Sequence, residues 1–367
     1  MNIFVFGTRG IPNIQGGVEK HCEELYSAMP ENFFITLFRR KPFLNEKISN
    51  HYKQIHFIDL FSTKIKGFES FYHSFSAALY CICHRSDIVH VHNIGPGIFI
   101  PLLKLFRRKV ILTYHSANYE HEKWNWFARF VLRTGEKFAL GGANAIIFVN
   151  KEHLKRFNEK IQKKSYYIPN GVRFTERSEQ TDYLKKYDLA PQKYILSVGR
   201  ITSEKGFDYL IDTFLSLSDK TYKLVIAGGI DHKTSYSKRI FEKARNRDNI
   251  IMTGFVKGEE LKQLYSHAKL FVLPSYSEGF PLVLLEAMNY KLNILVSDIS
   301  ATKAVKLPEE SYFQVGNKED LSQKLHQKLA EPYSLTDYDL SAYSWENIAA
   351  QTADIYQRLV HNSHQTQ

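Results

Sequence analysis

Short apolar runs alternate with helix-patterned stretches along this chain, and the alternation runs through twice. In the first half, Ile3–Phe6, Phe33–Phe38, Ile55–Ile58, Asp87–Val91, Val110–Tyr114 and Ala145–Val149 predict strands. Val18–Met29, Ser70–Cys83, Phe99–Phe106 and Trp126–Leu140 predict helices between them. The second half repeats the scheme with strands at Tyr194–Val198, Lys223–Ala227, Ile250–Met252, Leu270–Leu273 and Asn293–Val296. Its helices are predicted at Phe207–Ser216, Ser235–Arg245, Glu259–His267 and Pro281–Tyr290. A helix between one strand and the next returns the chain to its starting edge, so the strands lie parallel and helices cover both faces. The fold class is therefore α/β with two parallel sheets, and 367 residues suffice for two cores. A polar, strand-poor stretch from Asn170-Gly171 to Pro191 separates the halves. The expected domains are 1–170 and 171–345, with a closing helix over 346–367. Tyr343-Ser344-Trp345-Glu346 opens that helix, with Ser344 as N-cap and Trp345 as a packing anchor.

The formal charge of +11 sits wholly in the first half. Residues 1–170 hold 24 lysines and arginines against 13 acids, and the remainder holds 25 of each. The local peak is Lys104-Leu105-Phe106-Arg107-Arg108-Lys109. Cations mixed with apolar side chains suit an anionic membrane surface, and a solvated helix end would look the same. No recognised nucleic-acid motif accompanies the charge. Met1-Asn2 leads directly into Ile3-Phe4-Val5-Phe6 without the basic start of a secretion signal. The apolar region Ile94–Phe106 is interrupted by Gly95-Pro96-Gly97, Pro101 and Lys104, which argues against a membrane span. Three cysteines, Cys22, Cys81 and Cys83, make no disulfide framework, and Cys81-Ile82-Cys83-His84 reads as buried helix rather than a metal site. A cytoplasmic protein, peripheral on the inner face of the cell membrane, is the expectation.

Ligands bind beyond the carboxyl ends of parallel strands, and the chemistry-bearing residues all fall on such turns. Gly7-Thr8-Arg9-Gly10-Ile11-Pro12, then Gly16-Gly17-Val18-Glu19, offers open backbone N–H groups at a helix start, although the spacing is not the dinucleotide fingerprint. After Tyr194–Val198, Gly199-Arg200-Ile201-Thr202-Ser203-Glu204-Lys205-Gly206 brings Arg200 and Lys205 to another helix start, where two cations can neutralise a leaving diphosphate without a metal. Glu278 and Glu286 bracket a third, with Gly279, Phe280, Pro281 and Leu282 between them. Pro281 is expected in the first helical turn, Glu278 is placed to grip sugar hydroxyls, and Glu286 to accept from ribose. His115 ends the strand Val110–Tyr114 and is the first-half candidate for the reacting end of a sugar. His90 and His92 flank another strand end, and at least one is expected to be a hydrogen-bonded structural histidine. Tyr119, Glu120 and Trp124, in the loop beyond His115, are candidate acceptor contacts, although a solvated connection has the same composition.

These residues resemble the retaining glycosyltransferase family 4, of two-domain GT-B architecture. The likeness spans essentially the whole chain through Gly16-Gly17-Val18-Glu19, Pro169-Asn170-Gly171-Val172, Gly199-Arg200 with Lys205-Gly206, the two glutamates, and Tyr343-Ser344-Trp345. It implies two Rossmann-like domains facing across a cleft, with the last helix crossing back to the first. It implies a nucleotide diphosphate sugar in the second domain: Arg200 and Lys205 on the diphosphate, Glu286 on the ribose, Glu278 with Gly279–Leu282 on the sugar and phosphate, and the base near Gly254-Phe255-Val256. Gly16 and Gly17 would close over the phosphates, and His115 would lie near the sugar. No divalent metal or other cofactor is implied, so Asp337-Tyr338-Asp339 is not read as a metal-binding pair. Gly7–Pro12, Asn93-Ile94-Gly95-Pro96-Gly97 and Gly135-Glu136-Lys137 look more narrowly like bacterial rhamnosyltransferases of surface-polysaccharide assembly. Ser116-Ala117-Asn118-Tyr119 departs from the Gly-Leu-Asp-Trp-like run of that subgroup, which leaves the donor sugar open. The expected activity is transfer of a hexose, rhamnose among the candidates, to a lipid-linked glycan of O-antigen or capsule type. A nucleotide-sugar epimerase, a starch- or sucrose-type synthase and a non-catalytic sugar-binding scaffold of the same fold stay as alternatives.

Overall fold

The structure, a computed structural model, describes residues 1–44, 52–63, 65, 68–116 and 126–361, without the side chains of 127–129 and 131. Two compact units emerge: Met1–Gly171 with Tyr343–Gln367, and Val172–Ala342. In unit 1 the strands are β1 (Asn2–Phe6), β2 (Phe34–Arg40), β3 (Ile55–Leu60), β4 (Ile88–His92), β5 (Val110–Tyr114), β6 (Ala145–Phe148) and β7 (Ser165–Tyr167). Its helices are α1 (Gly17–Ser27), α2 (Phe68–Cys83), α3 (Ile94–Gly97), α4 (Ile100–Leu105), α5 (Trp126–Gly142), α6 (Lys151–Lys155) and α7 (Glu159–Gln162). Unit 2 holds α8 (Asp182–Lys185), β8 (Tyr194–Val198), α9 (Phe207–Ser216), β9 (Lys223–Ala227), α10 (Ser235–Ala244), β10 (Ile250–Gly254) and α11 (Gly258–His267). It continues with β11 (Leu270–Leu273), α12 (Leu282–Asn289), β12 (Ile294–Ser297), α13 (Ser300–Lys303), β13 (Tyr312–Phe313) and α14 (Lys318–Ala330). The last helix, α15 (Trp345–His361), returns to unit 1 and packs on α1.

Both sheets are parallel throughout. Unit 1 has the order β3-β2-β1-β4-β5-β6-β7, and unit 2 the order β10-β9-β8-β11-β12-β13. In each, strand order reverses beside the first strand: between β1 and β4, and between β8 and β11. Crevices open at such reversals because the helices leaving the two strands go to opposite faces. Central strands such as β8 (Tyr-Ile-Leu-Ser-Val) and β11 (Leu-Phe-Val-Leu) are buried along their whole length, as sheets covered on both faces require.

Where structure and sequence reading differ, local chemistry explains it. The helix expected at Phe99–Phe106 is α4, with Pro101 in its opening turn, and a short helix that the sequence reading did not name, α3, precedes it after Asn93 at φ 73°. Pro281 is the N-cap of α12 at ψ 102°, not part of its first turn. Cys83 is exposed, while Cys81 on the same helix is buried, and all three cysteines are free. Among the described residues, no helix is long and apolar enough to cross a membrane.

Candidate donor site and histidine network

In unit 2, the residues leaving β8 and β11 meet at the strand-order reversal. Gly206 has φ 66°, and a Cβ there would lie 2.1 Å from the Pro274 carbonyl oxygen, so only glycine lets the β8 turn pass so close to the β11 turn. Tyr276 N–H donates to the Glu204 carbonyl (2.8 Å), and the Tyr209 hydroxyl donates to the Pro274 carbonyl, tying the turns together. The result places Lys205 Nζ 2.6 Å from Glu278 Oε1, which also accepts from Ser275 Oγ at 2.7 Å. Lys205 and Glu278 are 16% and 10% exposed, so their charges interact with little screening yet remain reachable. Arg200 pairs with Asp231 at 2.6 Å. Lys205 and Glu278, 73 residues apart, are thus joined at one crevice, while Arg200 on the same β8 turn goes to Asp231, so neither cation stands bare: each already has a carboxylate.

Glu286 lies on α12 and accepts from the Tyr265 hydroxyl at 2.9 Å. Burial, and then the Glu286 charge, hold the Tyr265 phenol well above its ordinary range, so it stays a proton donor. Tyr265 in turn stacks on Tyr290, with ring centres 5.2 Å apart. Phe280 and Leu282 are buried beside the α12 start. Gly254 ends β10, two strands from β8, with φ 74°, and Phe255 and Val256 follow it, the first exposed and the second buried. Asp337 and Asp339 go elsewhere, the first to Lys291 (2.6 Å) and the second to its own turn at Ser341.

In unit 1, the turn after β1 is held from inside. The Glu19 carboxylate accepts from Arg9 N–H (3.1 Å) and Thr8 Oγ1 (3.3 Å), and a Cβ on Gly16 would sit 2.0 Å from Glu19 Oε2. Gly17, by contrast, opens α1 with free space around its Cα. At the ends of β4 and β5, four imidazoles pack as a connected group. His92 Nδ1 and His115 Nε2 share a hydrogen bond of 3.0 Å, and His92 Nε2 meets the Tyr26 hydroxyl at 2.6 Å. His90 bonds Tyr356 of α15 (2.6 Å) through Nδ1 and Thr113 (2.7 Å) through Nε2, which makes it a fully bonded structural histidine. His21 Nδ1 donates to Asn170 Oδ1 at 2.8 Å. Burial lowers all four: His21 to about 4, His90 to about 3, and His92 and His115 well below the usual range. The network is therefore neutral at physiological pH. His21, His92 and His115 are the one group among the described residues whose ligand atoms lie close enough, within 4.8 Å, to hold a metal.

Sequence reasoning missed several of these partners. Asp231, Ser275 and Tyr265 carry no motif of their own and reach the site only through folding. His21 fell within the expected helix Val18–Met29, and Asn170 within a quoted motif, neither with an assigned role. A Cβ on Gly171 would meet the Trp345 ring at 2.7 Å and Ile348 at 2.9 Å, so a side chain there would displace the Trp345 helix. Trp345 is buried against the His21 ring, 5.4 Å between centres. Tyr119, Glu120 and Trp124 lie outside the described residues.

Comparison with known proteins adds names to this geometry. Residues 15–176 match Glycosyltransferase Family 4, and residues 179–345 match Glycosyl transferases group 1. The sucrose-phosphate synthase of Thermosynechococcus elongatus superposes with a TM-score of 0.83 at 21% identity, over 98% of this chain and 99% of that one. HepE of Anabaena, in complex with UDP and glucose, gives 0.72 at 15% identity over 99% of each chain. The O-antigen chain mannosyltransferase B of Escherichia coli is 28% identical over 209 residues, 54% of each chain. The chain spans about half the length of the curated relatives it matches. A glycosyltransferase family model thus matches most of each half of the chain, and the two parallel Rossmann-like sheets are the fold shared with these solved structures.

Proposed function

We propose that this protein is a retaining, metal-independent glycosyltransferase. It moves a hexose from a nucleotide diphosphate sugar to a lipid-linked glycan in bacterial surface-polysaccharide synthesis, docking on an anionic membrane through its basic first unit. The observation that carries the reading is Lys205 beside Glu278, with Arg200 on the same turn, at the strand-order reversal of unit 2. A diphosphate entering there exchanges with the two carboxylates for the cations, and the freed Glu278 is left to accept from sugar hydroxyls. Glu286, oriented by Tyr265, takes the ribose hydroxyls. In the transfer step the acceptor oxygen bonds to the anomeric carbon on the face from which the diphosphate leaves. The carbon–phosphate-oxygen bond breaks, and the acceptor proton passes to the departing phosphate. Arg200 and Lys205 stabilise the charge that develops, and no side chain forms a covalent intermediate. His115, Gly16 and Gly17 keep the roles that family resemblance gives them, on the sugar and phosphates. HepE's complexes with UDP support a nucleotide donor, and the mannosyltransferase relative supports a polysaccharide product.

The test is a thermal-shift screen without metal against UDP-, GDP- and dTDP-sugars, followed by product analysis with the stabilising donor. A donor that raises the melting temperature of the native protein but not of Glu286→Ala locates the nucleotide. Retained anomeric configuration in the product, with chelator present, supports the mechanism. Binding without turnover across acceptors returns the chain to the sugar-binding reading.

A further inference from the structure

Helix α2 is built inside out. Its exposed side chains include Phe68, Phe71, Tyr72, Phe75 and Leu79, which recur at the three- and four-residue spacing of a single helical face. Its buried face is Glu69, His73, Ser74, Ala77, Ala78 and Cys81. The first half of this inner face is polar, the reverse of the ordinary amphipathic arrangement, while Ala77, Ala78 and Cys81 join the core. Polar contacts on the inner side prevent the helix from rolling over. Arg40 lies 3.6 Å from Glu69 and donates to Ser70 Oγ at 3.2 Å, while Ser62 Oγ donates to the Glu69 carbonyl at 2.8 Å. Half of the Phe71 surface and 41% of Phe75 face outward, each also touching the Phe99 ring that leads into α4.

The apolar face continues beyond α2. Leu105 is 76% exposed and Phe106 52%, at the end of α4, and the Arg108 guanidinium donates to the Ile82 carbonyl at 2.6 Å, joining that turn to the end of α2. On α5, which packs against α4, Phe130 and Phe138 are exposed as well. Exposed Arg85, Arg107, Arg133 and Lys137, with half-buried Lys104 and Lys109, accompany these apolar side chains on the same elements and their ends. Glu69 and Glu136, the acids of α2 and α5, are both buried, and α4 has none. The outward side of these three helices is therefore apolar with cations, and among their described residues it carries no exposed acid.

We propose that the α2–α4–α5 face of unit 1 is a bilayer-insertion surface: its aromatic and leucine side chains enter the interfacial zone while the surrounding cations bind anionic headgroups. It rests on the membrane-acceptor reading above and names the surface and mode of docking. Charge selects lipid over a second copy of the chain, because a two-fold pairing would set one cationic rim against another.

Flotation of the full chain with phosphatidylglycerol-containing and purely phosphatidylcholine vesicles, at low and high salt, tests this. The native protein should float with the anionic vesicles and retain part of that binding at high salt. Phe71→Ser/Phe75→Ser/Leu79→Ser should lose roughly tenfold or more of its partitioning at both salt levels. Arg107→Gln/Lys109→Gln should lose only the salt-sensitive part. Native-like flotation of the triple variant overturns the proposal. So does sedimentation that shows a native dimer, broken by the triple variant, with no vesicle binding. A donor-induced thermal shift equal to the native one shows the triple variant folded with its nucleotide unit intact. Loss of that shift in the native protein itself would sink the transferase reading and leave the flotation result standing.

Discussion

The two units place different chemistry at the same position of the same topology. At the reversal in unit 1 the groups are imidazoles and phenols, fully buried, mutually hydrogen-bonded and held neutral by desolvation. At the reversal in unit 2 they are full charges in ion pairs that remain partly exposed. A neutral, mutually hydrogen-bonded network fixes positions even though His21 Nε2 has no partner among the described residues, since a partner removed leaves another group unsatisfied. A solvent-reachable ion pair can trade one partner for another. The first arrangement therefore suits positioning, and the second suits a charged ligand.

The largest effect expected from this contrast is at Lys205. Lys205→Met should lower the transfer rate roughly 100-fold or more, the order seen when one stabiliser of developing charge is removed. Single-turnover product formation checks it, and a loss of only a few-fold would erase the distinction drawn between the units. His90→Phe should act on stability instead. It leaves Thr113 and Tyr356 without their partner and should cost about 1–3 kcal/mol in urea unfolding, with donor affinity unchanged.

Acid should sharpen the same contrast. The folded pKa values of His21 and His90, about 4 and about 3, lie below the unfolded value of 6.5, so the unfolded chain binds more protons in the interval between. Stability is then highest above pH 6.5 and falls as pH drops, by about 1.4 kcal/mol per pH unit for each such imidazole until its folded pKa is reached. His21→Gln should make the acid limb shallower in pH-resolved denaturation, and an unchanged slope would show that the network does not titrate on unfolding. The smallest effect belongs to Tyr265→Phe, which removes one hydrogen bond to Glu286 and should weaken donor binding only a few-fold in calorimetry.

Central strands were the most legible part of the sequence, because burial on both faces leaves a continuous apolar run: Val110–Tyr114, Tyr194–Val198, Lys223–Ala227 and Leu270–Leu273 match their strands end to end. The edge strands β7 and β13, of three and two residues, carry too little pattern to separate from loop. Helix α14 escaped because Leu321, Leu325 and Leu329 form a narrow stripe in an otherwise polar segment. Arg200, Lys205, Glu278 and Glu286 could be named from their turns, and their present partners could not. Asp231 and Tyr265 reach them through sheet order and helix packing rather than proximity in sequence.

The return of α15 to unit 1 has a consequence for synthesis. Unit 2 is one uninterrupted segment, so its residues have all left the ribosome while unit 1 still lacks Trp345 and Tyr356. The first-made unit is therefore the last to be completed, reversing the usual vectorial order of domain folding. Until α15 emerges, the nascent chain keeps the α1 surface around Tyr26 and His21 uncovered.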